Sequence, residues 1–296
     1  MKKILLFLSI LALTASCKAI MEPVRVQLPG TYWSYATDDA TANICFPDDT
    51  RIIVLQLSID ACAVEALHGT YTTDGHRVEA NGDDWGRTIK FVRTFSHLKN
   101  NSTNKDMTPV YPAASQLKGS VWGTIENQNL HVAYFSEDNC FDATFKHIAR
   151  EEGQDYGWEW NQKDYTVNGN QLEAGSFKAT LFDTFMIVDG TYGVFSVAPA
   201  VDQAGSSALK GTVWATEDES TQLPALVVFT SSSKFVRIVT YSKTIFKYTS
   251  GTYDLQGTSL SLKWDDIEET CQIEGGRFTL FKDTVNSQTF SKVTLP

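Results

Sequence analysis

Five histidines, paired carboxylates, seven tryptophans and five cysteines are the groups in this 296-residue chain that offer reactive or ligand-binding side chains. The carboxylates pair at Asp38-Asp39, Asp48-Asp49, Asp83-Asp84 and Asp265-Asp266. General acid–base catalysis needs two carboxyl groups facing one another, whereas neighbours along a strand point to opposite faces. These pairs therefore read as solvated turns, and a calcium loop at Asp83-Asp84 would need more oxygen ligands than its surroundings supply. The cysteines show no Cys-x-x-Cys spacing and so no zinc signature. Gly-x-Ser-x-Gly, phosphate-loop and His-Glu-x-x-His motifs are all missing. The residues thus predict a non-enzymatic protein without cofactor or metal; a hydrolase built from distant carboxylates is the least favoured alternative.

Two groups remain as candidates for ligand binding. Trp158 and Trp160 flank Glu159, so on a strand they share one face, where paired indoles can stack on a sugar ring or line an apolar pocket. His147 continues the alternating apolar positions Phe141, Ala143 and Phe145. The expected ligand is a glycan, an apolar small molecule or an envelope protein; the nearest alternative is a purely structural or interaction role with no small ligand. Nucleic acid is not expected, because a formal charge of −10 without a basic stripe cannot neutralise phosphates.

The elements that must carry these residues come from a repeat. Leu28-Pro29-Gly30-Thr31-Tyr32-Trp33 recurs as Leu117-Lys118-Gly119-Ser120-Val121-Trp122 and Leu209-Lys210-Gly211-Thr212-Val213-Trp214. The recurring Trp33, Trp122 and Trp214 read as core. A second anchor begins Gly69-Thr70-Tyr71, Lys163-Asp164-Tyr165 and Gly251-Thr252-Tyr253, so the middle copy departs from the Gly-Thr of the others. A third begins Phe95-Ser96, Phe195-Ser196 and Phe290-Ser291. Asp74-Gly75 and Asn168-Gly169, with Gln256-Gly257 as a poorer version, predict two-residue type I′ hairpins that set Tyr71 opposite Val78, Tyr165 opposite Leu172 and Tyr253 opposite Leu260. In that register His68 and His76 cannot share a metal. The remaining segments alternate with period two, as strands do; only Asp60–Leu67 has a helical look.

The expected organisation is all-β: three tandem antiparallel meanders or small barrels at 28–99, 117–198 and 209–296. Linkers rich in Asn, Ser, Thr, Pro, Ala and Gly fill 100–116 and 199–208. Opening Gly-x-x-Trp, central Gly-Thr-Tyr hairpin and closing Phe-Ser strand resemble the small lipocalin-like domains of bacterial surface lipoproteins. The resemblance implies barrels or half-barrels, most of them without assigned activity.

The amino terminus supplies an address. Met1-Lys2-Lys3, an apolar run from Ile4 to Leu13 and Thr14-Ala15-Ser16 before Cys17 make a signal peptide over 1–16. Small residues ending at a cysteine resemble the bacterial lipobox, which implies acylation of Cys17 and a tether over 17–27. Two or three acyl chains hold a protein at a membrane stably. With Lys18 next, the expected site is the cell envelope, favouring the outer membrane. Ordinary cleavage near Ser16 or Ala19, giving a secreted protein, is the alternative. Export places Cys45, Cys62, Cys140 and Cys271 in a disulfide-permissive compartment, where Cys45 and Cys62 lie close enough in sequence to pair.

Overall fold

The computed structural model describes residues 27–294 apart from 60, 83–84, 95–96, 149–155, 202–204, 217–223, 283 and 285–286. The leader, Cys17 and the tether up to residue 26 lie outside them. Among the described residues all regular structure is antiparallel β. The first eight strands are β1 (Thr31–Ala36), β2 (Ala40–Phe46), β3 (Arg51–Ser58), β4 (Ala63–Thr73), β5 (Arg77–Asn81), β6 (Ile89–Arg93), β7 (Leu98–Asn100) and β8 (Lys105–Pro109). Each pairs with the next and β8 returns to β1, closing barrel 1. Barrel 2 closes from β9 (Val121–Glu126), β10 (Asn129–Phe135), β11 (Asn139–Lys146), β12 (Gly157–Asn168), β13 (Gln171–Ala174), β14 (Phe177–Leu181), β15 (Phe185–Val188) and β16 (Tyr192–Ala198). The last meander is β17 (Val213–Thr216), β18 (Ala225–Phe229), β19 (Lys234–Thr240), β20 (Ile245–Gln256), β21 (Ser259–Trp264), β22 (Ile267–Gln272), β23 (Arg277–Leu280) and β24 (Gln288–Lys292). It forms barrel 3, whose β22 and β23 splay apart after a tight turn at Glu274–Arg277.

The repeated motif is a hydrogen-bonded latch. Trp33, Trp122 and Trp214 donate from Nε1 to the hydroxyls of Thr31, Ser120 and Thr212 at 2.9, 2.7 and 2.9 Å. Those hydroxyls donate onward to the carbonyls of Leu28, Leu117 and Leu209. The motif glycines donate to the carbonyls of Phe46, Phe135 and Phe229. Tyr71, Tyr165 and Tyr253 then tie the central strand to a neighbouring loop, donating to the carbonyls of Asp48, Ser136 and Ser231 at 2.9, 3.2 and 2.9 Å. Each polar atom on these buried aromatics is thereby satisfied, as burial requires.

Four details differ from the sequence reading. The hairpin turns centre one residue later, on Gly75-His76, Gly169-Asn170 and Gly257-Thr258, with φ +86°, +62° and +63° at the glycines only, the pattern of type II′ turns. Register therefore slides by two, setting Tyr71 opposite Ala80, Tyr165 opposite Ala174 and Tyr253 opposite Leu262; because strand faces repeat every two residues, each face survives. Secondly, Lys105–Pro109 is the closing strand of barrel 1 and not linker, so the first copy of the third anchor falls before β7 and Met107 takes the place held by Phe290. Thirdly, Asp60–Leu67 runs into strand β4, whose two edges are both taken by other strands. Finally, Cys45, Cys62, Cys140 and Cys271 are free thiols, and burial pushes Cys45 and Cys140 up to about 12.

The barrels share a core besides filling their own. Each interior holds an apolar cluster, around Trp33, Trp122 and Trp214 respectively. A further cluster joins the outer faces of all three, including Leu55, Val132, Phe145 and Phe246. Strands such as Ala225–Phe229 and Phe185–Val188 are buried on both faces and so read as unbroken apolar runs. Barrels 1 and 3 join edge to edge, β4 pairing β20 through Ala63–Lys247, Val64–Phe246 and Glu65–Ile245. Barrel 2 lies against that seam. A Cβ on Gly193 would stand 2.4 Å from the Leu55 side chain, so glycine there lets barrel 1 approach closely without displacing Leu55.

Candidate functional site

Register makes the three interiors comparable position by position. The residue two before the latch tyrosine is Gly69, Lys163 or Gly251. Across its strand pairs and the next lie Ile52 and Val54, Cys140 and Asp142, or Phe235 and Arg237. One strand further on stand Ala42, His131 or Ala225. Barrels 1 and 3 thus place alanine and glycine where barrel 2 places histidine and lysine. The glycines are enforced: a Cβ would fall 2.2 Å from the Asn81 carbonyl oxygen at Gly69 and 2.3 Å from that of Lys263 at Gly251. In barrel 2 the pairing of β12 with β13 stops at Tyr165–Ala174, which frees the next positions of β12 to carry a side chain.

That side chain enters the lumen. Lys163 Nζ donates to Asp142 Oδ2 at 3.0 Å and lies 5.6 Å from the centre of the Phe177 ring. Their side chains keep 19% and 30% exposure, which marks the end of the lumen open to solvent. Deeper, His131 Nδ1 meets Thr144 Oγ1 at 3.1 Å, and its ring stacks on Tyr192 at 5.9 Å. His131 Nε2 is buried and has no partner, as is Thr124 Oγ1 on the adjoining strand. Burial pushes the His131 imidazole below its usual range, against the pull of Asp142, and so keeps it neutral near pH 7. Burial, reinforced by Asp142, Glu126 and Asp189, pushes the Tyr192 phenol up to about 12. These groups face Met186, Val188 and Val194 across a cavity of about 220 Å³. That is room for roughly seven waters at ~30 Å³ each, in line with an eight-stranded barrel that holds one small ligand.

Barrel 3 closes the same space with its own side chains. Arg237 donates from Nη2 to Gln288 Oε1 at 2.6 Å and lies 5.6 Å from the centre of the Phe281 ring. Burial lowers its guanidinium to about 10. Gln288 occupies the register position of Tyr192, so a bond within the protein replaces the histidine–tyrosine stack.

The residues singled out from sequence lie elsewhere. Trp158 and Trp160 stack at 4.8 Å and 14°, with Trp158 edge-on to Phe145 at 5.0 Å, on the outer surface of barrel 2 beside the shared core. His147 is separated from them. Strand β11 ends at Lys146, and His147, at φ +52° with its N–H bonded to Asn129 Oδ1 at 2.9 Å, has turned off the Phe141, Ala143 and Phe145 face. Cys17 lies outside the described residues. Asp38-Asp39, Asp48-Asp49 and Asp265-Asp266 do occupy turns or bends, while Asp83-Asp84 lies outside the described residues; Asp48 accepts from the N–H groups of Thr50 and Arg51 at 2.9 and 2.8 Å, which holds its carboxyl well below the usual range. No cluster of metal-ligating side chains occurs among the described residues.

Sequence reasoning passed over His131, Asp142, Thr144, Lys163 and Tyr192. Its alternation on β11 was right, but Phe141, Ala143 and Phe145 face the shared core and the polar face points inward. The departure at Lys163-Asp164 was the visible signal.

No family model and no curated protein matches the chain. Among solved structures it is similar to a putative DNA polymerase III beta subunit from Eubacterium rectale ATCC 33656, at 7% identity and TM-score 0.15, over 92% of this chain and 93% of that one. The DNA polymerase III subunit beta from Pseudomonas aeruginosa aligns at 6% identity and TM-score 0.15, over 93% and 94%. That from Borrelia burgdorferi, in complex with a natural product, aligns at 8% and 0.13, over 93% and 94%. Superpositions this poor transfer neither fold nor activity to this chain.

Proposed function

We propose that the chain is an exported lipoprotein, held at the cell envelope by acyl chains on Cys17, that binds a small molecule in the lumen of barrel 2 without transforming it. The observation that carries the binding role is a cavity lined by His131, Tyr192 and the Lys163–Asp142 pair, with His131 Nε2 buried and unpartnered in its wall. Leaving a buried polar atom unpaired costs about 1–3 kcal/mol, and a ligand that draws the imidazole toward the lumen to bond there recovers it. Lys163 and Asp142 neutralise one another, and His131 and Tyr192 are uncharged. The lumen therefore suits an uncharged molecule with one hydrogen-bonding end and an apolar body against Val188 and Val194. The address rests on the leader and the small residues before Cys17.

Intact mass and membrane fractionation of the wild type and Cys17→Ser test the anchor: the wild type carries acyl mass and sediments with membranes, the variant does neither. A freely soluble wild type without added mass contradicts it. Native mass spectrometry of the chain extracted from its own envelope tests the lumen, with a small adduct expected on the wild type and lost from His131→Leu. The bound Arg237–Gln288 contact in barrel 3 and the shared core favour a second reading, a scaffold with filled interiors; an extracted chain without adduct supports it.

A further inference from the structure

The three longest strands are equivalents: β4, β12 and β20 each carry a latch tyrosine, and each has a leading half that precedes its pairing with the following strand. In barrels 1 and 3 those leading halves pair with one another, β4 with β20, antiparallel and centred on Val64 opposite Phe246. Tyr248 N–H extends the seam to the Cys62 carbonyl at 3.0 Å. In barrel 2 the leading half of β12, from Gly157 to Asp164, pairs with β11 on one edge. Among the described residues no strand pairs with its other edge. Counting back from Tyr165 places Trp158 at the position of Val64 and Phe246, and Trp160 at that of Tyr248. An unpaired edge is a row of backbone donors and acceptors ready for another strand.

We propose that this edge joins two copies of the chain, β12 to β12, in the register by which β4 joins β20. The occupant follows from the molecule itself: the two equivalents of this edge choose each other, in an antiparallel arrangement that a two-fold axis reproduces. The axis passes through Trp158, so Trp158 meets Trp158 of the second copy and Glu159 lies opposite Gly157. No like charges then stand directly opposite. Trp158 Nε1 is buried and unpartnered, and its ring stacks on Trp160 at 4.8 Å, so two stacked indole pairs would close over the seam. The contact is small, which makes the dimer weak, with Kd on the order of 10–100 μM. A shared membrane surface would raise the effective concentration.

Sedimentation equilibrium of mature Cys17→Ser protein is expected to show the mass doubling across that range, and Trp158→Lys, which sets two ammonium groups opposite one another, to remain monomeric. In a Cys17→Ser, Cys62→Ser background, Trp158→Cys is expected to cross-link to itself under mild oxidation at least tenfold faster than Glu159→Cys. A wild type that stays monomeric well above the range overturns the proposal, and so does a dimer in which Glu159→Cys cross-links as fast as Trp158→Cys. Circular dichroism of each variant separates lost pairing from lost fold.

Discussion

Barrels 2 and 3 have the same meander, tryptophan latch and tyrosine tie, yet their interiors are finished in opposite ways. Barrel 3 places Arg237 Nη2 in contact with Gln288 and lays Phe281 against the cation, so its own side chains fill the space, with Arg237 Nε left buried and unpartnered. Barrel 2 brings His131, Asp142, Lys163 and Tyr192 to the same register and leaves His131 Nε2 with nothing to bond. Barrel 1 has alanine, valine and glycine at the first three of these positions. The scaffold is thus held constant by one set of residues while another set, facing the lumen, varies. In the proposed reading, structure and binding are carried by different positions of the repeat.

The largest expected effect concerns the position two before the latch tyrosine. Gly251→Ala drives a methyl against the Lys263 carbonyl and is expected to cost about 3 kcal/mol. Gly69→Ala should cost the same, whereas barrel 2 already accommodates Lys163. Urea unfolding measures each, and a loss below 1 kcal/mol would break the distinction drawn between the barrels. Next comes Asp142→Ala, which strands a mostly buried ammonium and is expected to cost about 2 kcal/mol; Asp142→Ala with Lys163→Met should recover much of it, because the unpaired charge is then gone. The smallest effect is on pH dependence. His68 and His131 are pushed below the ordinary 6.5 by burial, so on acidification the unfolded chain takes up protons before the folded one. Their contribution is therefore fully present above pH 6.5 and is lost as pH falls from there toward the folded values. His131→Gln should flatten the barrel 2 share of that decline in thermal melts, leaving the share from His68.

The all-β class and the repeat were legible because turns and latches need particular residues at fixed intervals. Gly30, Trp33 and Tyr71 do the same job in every copy and so leave a trace in the sequence. Register was two residues off because Asn-Gly reads as the centre of a type I′ turn, while here Gly169-Asn170 forms a type II′ turn. The first barrel seemed short because Phe95-Ser96 imitates the closing anchor, and Met107 on the true closing strand does not. The site itself was hidden by inversion. Barrels packed on a common core are apolar outside, so the period-two rule, which assigns the apolar face of β11 to the interior, selected Phe145 and His147 over Asp142 and Thr144. Only a comparison of copies exposes Lys163 as the departure.

The most direct test of the central claim, that the barrel 2 lumen is the binding site, is to fill it. Ala133 lies beside Asp142 in the cavity wall, and its equivalents in the other barrels are Ile44 and Val227. Calorimetric titration with phenol, a neutral probe with a hydroxyl and an apolar ring, compares the wild type with Ala133→Leu. The wild type is expected to bind phenol, and Ala133→Leu to bind it at least tenfold more weakly at an unchanged melting temperature. Equal affinity in both proteins, or no binding of phenol by the wild type, would contradict the claim.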